Sequence, residues 1–388
     1  MFNGDWGMGT RDWEQRIPNP QSLSPDPHSL VVRRLNVNLF DTVTEMGHEQ
    51  VLFCNGKDPE IKAIIAIHDT SLGPAMGATR LLPYPNEEAA LKDALRLSRG
   101  MTYKAACAGI PVGGGKAVII ANPENKTEDL FRAYGRFVER LNGRFITGQD
   151  VNLTPNDVRT ISRETRYVVG VEERSGGPAP VTAWGVFLGL KAAVEFRLQT
   201  NDLKGLKVAV QGLGNVGSKL CHHLHEHGAQ LFVTDISKEK TEELKRLYGA
   251  TIVEPDAIYS LDVDVLSPCA LGGILNSETI PQIKASVIAG AANNQLGLEQ
   301  IHGPMLSAKG ILYAPDYVIN AGGLINVYNE MIGYDEDRAF QQVRNIYDTL
   351  LEIFERAKKQ DITTNDASKQ LADDRINRAR HIKAMAVV

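Results

Sequence analysis

The chain has 388 residues, a mass of 42.5 kDa and a formal net charge of -5 at pH 7. This length is enough for two sizeable cores, and a pI near 6.0 argues against nucleic acid or an anionic membrane as the main partner. No apolar run approaches the ~20 residues that span a bilayer. The cysteines Cys54, Cys107, Cys221 and Cys269 lack zinc-site spacing, so we expect reduced thiols, no metal and a cytoplasmic location.

Residues 1–36 differ in composition from the rest of the chain. They are rich in Gly, Pro, Asp, Asn and Ser, show no hydrophobic period and lack the continuous apolar core of a signal peptide. This composition predicts a flexible N-terminal extension.

Strands and helices alternate from residue 39 onward. Asn86 is a suitable N-cap for a helix that we expect Gly100 to end. Thr154 followed by Pro155 predicts another helix start, with threonine as N-cap and proline at the first helical position. The other elements predicted in this half are strands over residues 51–53, 61–68, 117–121 and 145–150 and a helix over residues 127–141.

The segment RSGGPAP, residues 174–180, is the best linker candidate because it is rich in Gly and Pro. After a helix over about residues 183–198, strand–turn–helix units begin with KVAVQ at residue 207. This order predicts a parallel sheet covered by helices on both faces.

The predicted fold is therefore α/β with two domains separated by a cleft. We expect a substrate-binding and oligomerisation domain of α/β type over residues 37–177, joined by the C-terminal helices from about residue 345 to 388. Residues 178–344 are expected to form a Rossmann-type, doubly wound dinucleotide-binding domain.

A glycine-rich turn, GLGNVG, lies between the strand KVAVQ and the helix GSKLCHHLHEH. Its glycines allow close approach to a pyrophosphate at the helix N-terminus. Asp235 ends the next strand, where its carboxylate can bind the ribose hydroxyls and repel a 2′-phosphate, although Lys238 nearby keeps NADP from being excluded. NAD is the expected cofactor, and the residues expected to hold it here are Gly212, Leu213, Gly214, Asn215, Val216, Gly217 and Asp235.

The helix after this turn carries His222, His223, His225 and His227. Histidines spaced i,i+3 and i,i+4 can hold a metal ion. These pairs fall on different helix faces, so a solvated helix surface is the favoured interpretation.

Lys104, Lys116 and Asp150 stand at the ends of predicted elements in the first half of the chain. Lys116 follows three glycines, but a Walker loop is excluded because Ile110 replaces its first glycine and Ala117 offers no hydroxyl. Beside a dinucleotide domain, the three polar residues indicate amine chemistry. One lysine can hold a substrate carboxylate, a second with lowered pKa can act as acid/base, and an aspartate can handle the amine.

The chain resembles the glutamate/leucine/phenylalanine/valine dehydrogenase superfamily from about residue 39 to residue 380. The segments that carry the resemblance are GPAMGATR, GMTYKAACAGIPVGGGKAVII, GQDVN, VAVQGLGNVG, VIAGAANNQL and APDYVINAGGLINV. It is most similar to the leucine-dehydrogenase branch, and LNGRFITGQDVN, CALGGILNS and GGLINVYNEMIGY are most similar to the tryptophan-oxidising members. The resemblance implies a homo-oligomer that reversibly deaminates an amino acid to its 2-oxo acid and ammonia with NAD.

The resemblance also implies residue roles. Lys104 would bind the substrate carboxylate. Lys116 would activate water and stabilise the carbinolamine, with the neighbouring glycines letting substrate pack against the backbone. Asp150 would exchange protons with the amine and ammonia. The residues implied at the nicotinamide and its ribose are Ala292, Asn293 and Asn294.

Glutamate dehydrogenases of this family carry a lysine and a serine where this chain has Met76 and Val327. A glutamate carboxylate would be buried unpaired there, so we expect an apolar substrate side chain. Small residues beside a flexible methionine suit an indole ring. Tryptophan is therefore favoured, with leucine, valine or phenylalanine as alternatives. A non-catalytic NAD-binding sensor is disfavoured because both lysines and Asp150 are present. The other residues expected at the substrate are Met76, Gly77, Met101, Ala105, Ile110, Leu324, Val327 and Tyr328.

Overall fold

The computed structural model describes residues 39–171 and 177–386. Within these ranges the chain builds two six-stranded sheets, one before and one after residues 172–176. The extension predicted for residues 1–36 and part of the RSGGPAP linker lie outside the described residues.

The first sheet is mixed. Its strands are β1 (Gln50–Lys57), β2 (Glu60–Asp69), β3 (Ala75–Met76), β4 (Thr79–Leu82), β5 (Gly113–Ile120) and β6 (Phe145–Ile146). The order is β1–β2–β5–β3–β6 with β4 also beside β5, and β5 runs antiparallel to β2 but parallel to β3 and β4. The helices of this half are α1 (Leu39–Glu45), α2 (Glu87–Ala108), α3 (Glu128–Arg140) and α4 (Pro155–Ser162).

The prediction that Gly100 ends the second helix is wrong. Asn86 caps α2 as expected, with its side chain accepting from the Ala89 N–H at 2.8 Å. Gly100, however, lies inside α2 and has no positive φ. The helix is instead capped by Gly109, whose φ of 68° lies in the left-handed region that favours glycine. A glycine inside a helix costs only about 1 kcal/mol, which the packing of α2 on β2 and β5 outweighs. Lys104 therefore lies near the end of one continuous helix.

The helix start predicted at Thr154 is confirmed. The Thr154 hydroxyl accepts from the Asp157 N–H at 3.2 Å, and the Asp157 carboxylate accepts from the Thr154 N–H at 2.7 Å. This reciprocal capping fixes the chain directly after the Asp150 segment.

The second sheet is wholly parallel. Its strands are β7 (Lys207–Gln211), β8 (Gln230–Thr234), β9 (Thr251–Ile252), β10 (Val265–Pro268), β11 (Val287–Ile288) and β12 (Leu312–Tyr313). The order is β12–β11–β10–β7–β8–β9, which reverses direction between β7 and β10. That reversal is the topological switch point at which doubly wound sheets bind dinucleotides. The predicted Rossmann-type α/β fold is confirmed.

Helices cover both faces of the second sheet, where Val208 and Val265 pack on one side and Ala209 and Leu266 on the other. The helices are α5 (Ala179–Leu198), α6 (Gly217–Glu226), α7 (Lys238–Tyr248), α8 (Glu299–Ala308), α9 (Asp316–Ile319), α10 (Gly322–Met331), α11 (Glu336–Gln360) and α12 (Thr364–Ala386). Among the described helices, α5 is long and apolar enough to cross a membrane, but it packs as a core helix against α6, α10 and α11.

The last helix touches both halves of the molecule. On α12, Arg375 donates to the Ala106 and Cys107 carbonyls at the end of α2, at 3.0 and 2.8 Å. Lys369 on the same helix pairs with Glu299 of α8 at 2.7 Å. The assignment of the C-terminal helices to the substrate-binding domain stays a prediction.

Candidate active site

Lys116 and Asp150 form a direct ion pair. Lys116 lies on β5, is only 6% exposed, and its Nζ donates to Asp150 Oδ2 at 2.5 Å. Thr79 of β4 pairs with both Ala117 and Gln149, so β4 bridges the strand that carries the lysine and the segment that carries the aspartate. The structure thus brings together the two residues predicted to do acid/base chemistry.

The surroundings of this pair set its protonation. Burial lowers the pKa of Lys116, and the Asp150 charge opposes that shift without cancelling it. Burial by itself raises the pKa of Asp150, but the charges of Lys116 and Arg80 outweigh burial and hold the pKa below its usual range. An ionised carboxylate thus faces a lysine that loses its proton more readily than a solvated one, as acid/base catalysis near neutral pH requires.

The fold itself requires the three glycines before Lys116, and the prediction that they also let substrate pack against the backbone stays a prediction. They belong to β5 itself. A Cβ at Gly113 would lie 2.1 Å from the Asp69 carbonyl oxygen, and one at Gly114 would lie 2.1 Å from Thr102 Oγ1 of α2. Gly115 faces the Phe145 ring in the same way, at 2.6 Å. The glycines therefore let α2 and the neighbouring strands pack directly on the strand that presents the lysine.

Gly77 follows the same rule. A Cβ there would lie 1.6 Å from the Gly115 carbonyl oxygen, and the Gly77 N–H donates to the Ile146 carbonyl at 3.0 Å. The missing side chain leaves room for β5, so the requirement for glycine comes from the fold. Contact between Gly77 and the substrate stays a prediction.

Lys104 is a half-buried cation that makes neither a hydrogen bond nor an ion pair with any described residue. The pKa of Lys104 is lowered to about 8, chiefly by burial; the charge of Asp316 opposes this shift and the charge of Lys116 adds to it. Asp316 begins α9 and is held by the Gln295 N–H, which donates to Oδ2 at 2.8 Å. A cation without a partner, beside the Lys116–Asp150 pair, is suited to a carboxylate. Sequence reasoning missed Asp316, because nothing in the sequence pairs it with Lys104.

The residues predicted to line the substrate pocket belong to one apolar cluster. Met76 pairs in the sheet with Ile146 and Gly114, and Leu324 and Tyr328 lie on α10 as their spacing predicts. The cluster joins the two halves of the molecule, and its members from the predicted set are Met76, Ala105, Ile110, Leu324 and Tyr328, with Met101 and Val327 packed against it. These residues are candidates for an apolar wall of the substrate site, and their contact with a substrate stays a prediction.

The glycine-rich turn has the shape that a pyrophosphate site needs. A Cβ at Gly217 would lie 2.0 Å from the Gly212 carbonyl oxygen, so the turn and helix close on each other. A Cβ at Gly214 would meet no atom within 4 Å, which leaves the loop open in front of α6. Asn215 is exposed and Val216 half-buried at the same helix N-terminus. The open face and the free N–H groups there fit a dinucleotide phosphate.

Asp235 is fixed at the end of β8. The buried residue Leu213 donates its backbone N–H to Asp235 Oδ2 at 2.6 Å, and the Ser237 N–H donates to Oδ1 at 2.8 Å. These bonds hold the carboxylate beside the glycine-rich turn, where a ribose would lie in a Rossmann site.

The segment after β11 offers amide groups on the other side of the switch point. Asn293 and Asn294 are exposed, whereas Ala292 is buried. Asn320 Nδ2 donates to Asn293 Oδ1 at 2.7 Å and to the Ala291 carbonyl at 3.0 Å, while Asn320 Oδ1 is buried without a partner in the part of the chain that the structure describes. A buried acceptor without a hydrogen bond destabilises the folded state unless a ligand supplies a donor. The carboxamide N–H of a nicotinamide would be such a donor. Sequence reasoning missed Asn320, although it lies within APDYVINAGG.

The histidine-rich helix does not form a ligand cluster. His222, His225 and His227 are exposed on α6, and the His223 ring packs edge-on against Trp184 at 5.1 Å between centroids. Across residues 39–171 and 177–386, no three His, Cys, Asp or Glu side chains are grouped as metal ligands.

Family comparisons agree with this geometry. Residues 48–172 match the model of the Glu/Leu/Phe/Val dehydrogenase dimerisation domain, and residues 175–237 and 231–384 match the Glutamate/Leucine/Phenylalanine/Valine dehydrogenase model. The chain belongs to the Glu/Leu/Phe/Val dehydrogenase family. It is an amino-acid dehydrogenase, and the family uses a nicotinamide cofactor, which the open glycine-rich turn and the orphaned Asn320 oxygen fit.

Individual members of the family are closely similar. The chain is 76% identical over 349 residues to the L-tryptophan dehydrogenase of Nostoc punctiforme, covering 90% of this chain and 99% of that protein. It is 51% identical over 346 residues to the leucine dehydrogenase of Bacillus cereus, covering 88% and 94%. The crystal structure of the L-tryptophan dehydrogenase from Nostoc punctiforme superposes with a TM-score of 0.83 at 75% identity, covering 88% of this chain and 99% of that one.

Proposed function

We propose that this dehydrogenase deaminates L-tryptophan oxidatively with NAD⁺, giving indole-3-pyruvate, ammonia and NADH. The observation that carries the proposal is the Lys116–Asp150 ion pair with the unpaired Lys104 close enough for the two lysine charges to act on each other. The L-tryptophan dehydrogenase relative, at 76% identity, supports tryptophan over leucine or phenylalanine.

Each charged residue has one task in the proposed reaction. Lys104 binds the α-carboxylate and orients the amino acid. Asp150 takes a proton from the substrate ammonium and so frees the nitrogen lone pair; a nicotinamide held at the glycine-rich turn would supply the acceptor for the hydride from Cα. Lys116, in its neutral form, removes a proton from the water that adds to the resulting imine, and its protonated form stabilises the carbinolamine. Collapse of the carbinolamine breaks the C–N bond and forms the C=O bond as the hydroxyl proton passes to solvent water, and Asp150 returns a proton to the departing ammonia.

The apolar wall supports the choice of side chain. Met76 and Val327 offer no charge to a substrate carboxylate, so glutamate would bury an unpaired charge there. An indole ring would instead bury apolar surface against Met76, Leu324 and Tyr328. We therefore expect NADH formation to be fastest with L-tryptophan in a panel that includes leucine, valine, phenylalanine and glutamate. A faster rate with leucine would reassign the substrate, and no turnover with any amino acid would favour an NAD-binding sensor.

Enlarging Ala105 to leucine is expected to penalise tryptophan far more than valine. Ala105 is fully buried on α2 within the apolar cluster. Overpacking costs about 1–3 kcal/mol, which shifts the tryptophan/valine ratio of kcat/KM by roughly 5- to 150-fold. The measurement is kcat/KM for both amino acids, and thermal unfolding checks that the variant folds. Ala105→Val, which adds less volume, should give a smaller shift of the ratio. Equal losses for the two substrates would show that Ala105 is scaffold.

Binding of a substrate carboxylate is expected to weaken as the pH rises through about 8. Lys104 carries its charge below that pKa and loses it above. The measurement is the inhibition constant of 3-(indol-3-yl)propanoate, which has the carboxylate but no titrating amine, below and above pH 8. Lys104→Arg is the matched control because arginine keeps its charge over the whole range. The same pH dependence in the wild type and in Lys104→Arg would show that Lys104 does not bind the substrate carboxylate.

NAD, rather than NADP, is the proposed cofactor because Asp235 presents a fixed carboxylate beside the glycine-rich turn. Asp235→Ala is expected to weaken the binding of NAD by about 1.5–3 kcal/mol, the contribution of a hydrogen bond to a charged group. It should also narrow the preference over NADP, because the repulsion of a 2′-phosphate disappears. KM for both cofactors tests this, with Glu242→Ala on the exposed side of α7 as the control. An unchanged NAD/NADP ratio would place the acidic residue that reads the ribose elsewhere.

A homo-oligomer is proposed as the assembly. The dimerisation-domain model covers residues 48–172, and β1 is an edge strand of the first sheet with Phe53 on it 51% exposed. An open edge with an exposed aromatic residue is a surface that another copy can cover by strand pairing. A cytoplasmic location remains our expectation from the free cysteines.

A further inference from the structure

We propose that Arg80 is a positioning residue that holds the Asp150 carboxylate against Lys116 and is itself held by Asp93 of α2. The proposal rests on the acid/base role proposed above for the Lys116–Asp150 pair. Arg80 ends the GPAMGATR segment of the family resemblance, which gave it no role, and Asp93 did not stand out in the sequence.

Arg80 holds the Asp150 carboxylate through its Nε. Arg80 lies on β4, and its side chain is 19% exposed. Its Nε donates to Asp150 Oδ2 at 3.1 Å, and Lys116 donates to the same oxygen at 2.5 Å. Oδ1 of Asp150 accepts no hydrogen bond from residues 39–171 or 177–386. Two charged donors thus hold one oxygen in place and leave the other to face the substrate amine.

Arg80 is itself held by Asp93 through its Nη1. Its Nη1 donates to Asp93 Oδ2 at 3.0 Å, and Tyr84 donates its hydroxyl to the same oxygen at 2.7 Å. Arg96 donates to Asp93 Oδ1 at 3.2 Å. Asp93 therefore has partners on both oxygens. The guanidinium of Arg80 is held through Nε by Asp150 and through Nη1 by Asp93. A planar fork held in this way loses little entropy when it orders the carboxylate.

The charges of this network are paired. Lys116 and Arg80 are positive, Asp150 and Asp93 are negative, and each of the four groups has an opposite charge within 3.1 Å, as buried charges require. Within that network the Arg80 charge lowers the pKa of Asp150, after burial and Lys116 have acted on it, and it also lowers the pKa of Lys116. Asp93 acts in the opposite direction on Lys116.

These signs give the test. Arg80→Gln is expected to lower kcat by up to about 10²-fold, the cost of a slightly misplaced catalytic group, with little change in NADH affinity. Removing the positive charge lets the pKa values of Lys116 and Asp150 rise, so the acid limb of the kcat profile should move to higher pH. Asp93→Asn should move it to lower pH, because Lys116 then loses a negative neighbour. Arg80→Lys should restore the position of the limb but only part of the rate.

The control is Arg163→Gln, which removes the same charge from an exposed ion pair with Glu128 and should change neither rate nor profile. A lower kcat in Arg80→Gln with no displacement of the acid limb would show a structural role only and overturn the proposal. So would displacement of the limb in the same direction by Arg80→Gln and Asp93→Asn.

A measurement without turnover separates this proposal from the proposed function. Titration of ¹³C-labelled aspartate carboxyls, with the Asp150 signal assigned by its loss in Asp150→Asn, should show a higher pKa in Arg80→Gln and no change in Arg163→Gln. An unchanged Asp150 titration in Arg80→Gln would overturn the positioning role whatever substrate the enzyme takes. If instead the Asp150 signal shifts while no amino acid of the panel is oxidised, only the proposed function fails.

Discussion

Lys116→Ala is expected to lower kcat by about 10²–10⁴-fold, as the loss of an acid/base group does, while NADH binds nearly as tightly as before. The lysine is buried on β5 with its Nζ on Asp150, far along the chain from the glycine-rich turn. Steady-state kinetics with tryptophan and fluorescence titration with NADH measure the two quantities separately.

A lysine on the neighbouring strand provides the matched control. Lys62 lies on β2 and forms an exposed ion pair with Glu87 at 3.4 Å. Lys62→Ala should leave kcat unchanged, because an exposed pair of this kind contributes little. Turnover close to wild type in Lys116→Ala would refute the mechanism, and weakened NADH binding would mean that the substitution disturbs the fold beyond the strand.

Asp150→Asn is expected to cost a similar factor, about 10²–10⁴-fold in kcat, because the amide accepts no proton from the substrate amine. Asparagine can still accept the Arg80 hydrogen bond, so the geometry should survive. The Asp150 charge raises the pKa of Lys116, and its loss lets that pKa fall further. The residual activity should therefore show an acid limb at lower pH than the wild type.

The pH profile of the Asp150→Asn enzyme measures this displacement. Asp129→Asn is the control, since Asp129 lies in the exposed first turn of α3. An acid limb that stays in place or moves to higher pH would mean that the 2.5 Å contact between Lys116 and Asp150 does not govern the titration.

Local chemistry in the sequence was enough to predict much of the fold. Thr154 and Pro155 mark a helix start because the capping bonds involve residues three positions apart. GLGNVG predicts a Rossmann turn because each glycine serves a local close approach. Gly100 misled the prediction because its small helix penalty is outweighed by contacts with β2 and β5, which are distant in the chain.

The same reason explains the site residues that were missed. Arg80 acts on Asp150 across 70 positions of sequence, and Asp316 acts on Lys104 across a far longer separation. Such pairs carry no spacing signal, because only the folded sheets bring their elements together. The glycines before Lys116 were recognised as a place of close approach, but what approaches them is α2 and β6, which a sequence motif does not name.

The apolar cluster that joins the two halves of the molecule has a consequence for discrimination among amino acids. Met76 and Ala105 come from the half that carries Lys104 and Lys116, whereas Leu324 and Tyr328 come from the half that carries the glycine-rich turn. Under the proposed function, a substrate side chain placed in this seam would separate the two halves, so we expect its size to affect how near Cα comes to the nicotinamide. A wrong side chain would then still be captured but would react slowly. Redesign of specificity should accordingly change residues in pairs, one from each side of the seam, and selection by turnover rather than by affinity should find them.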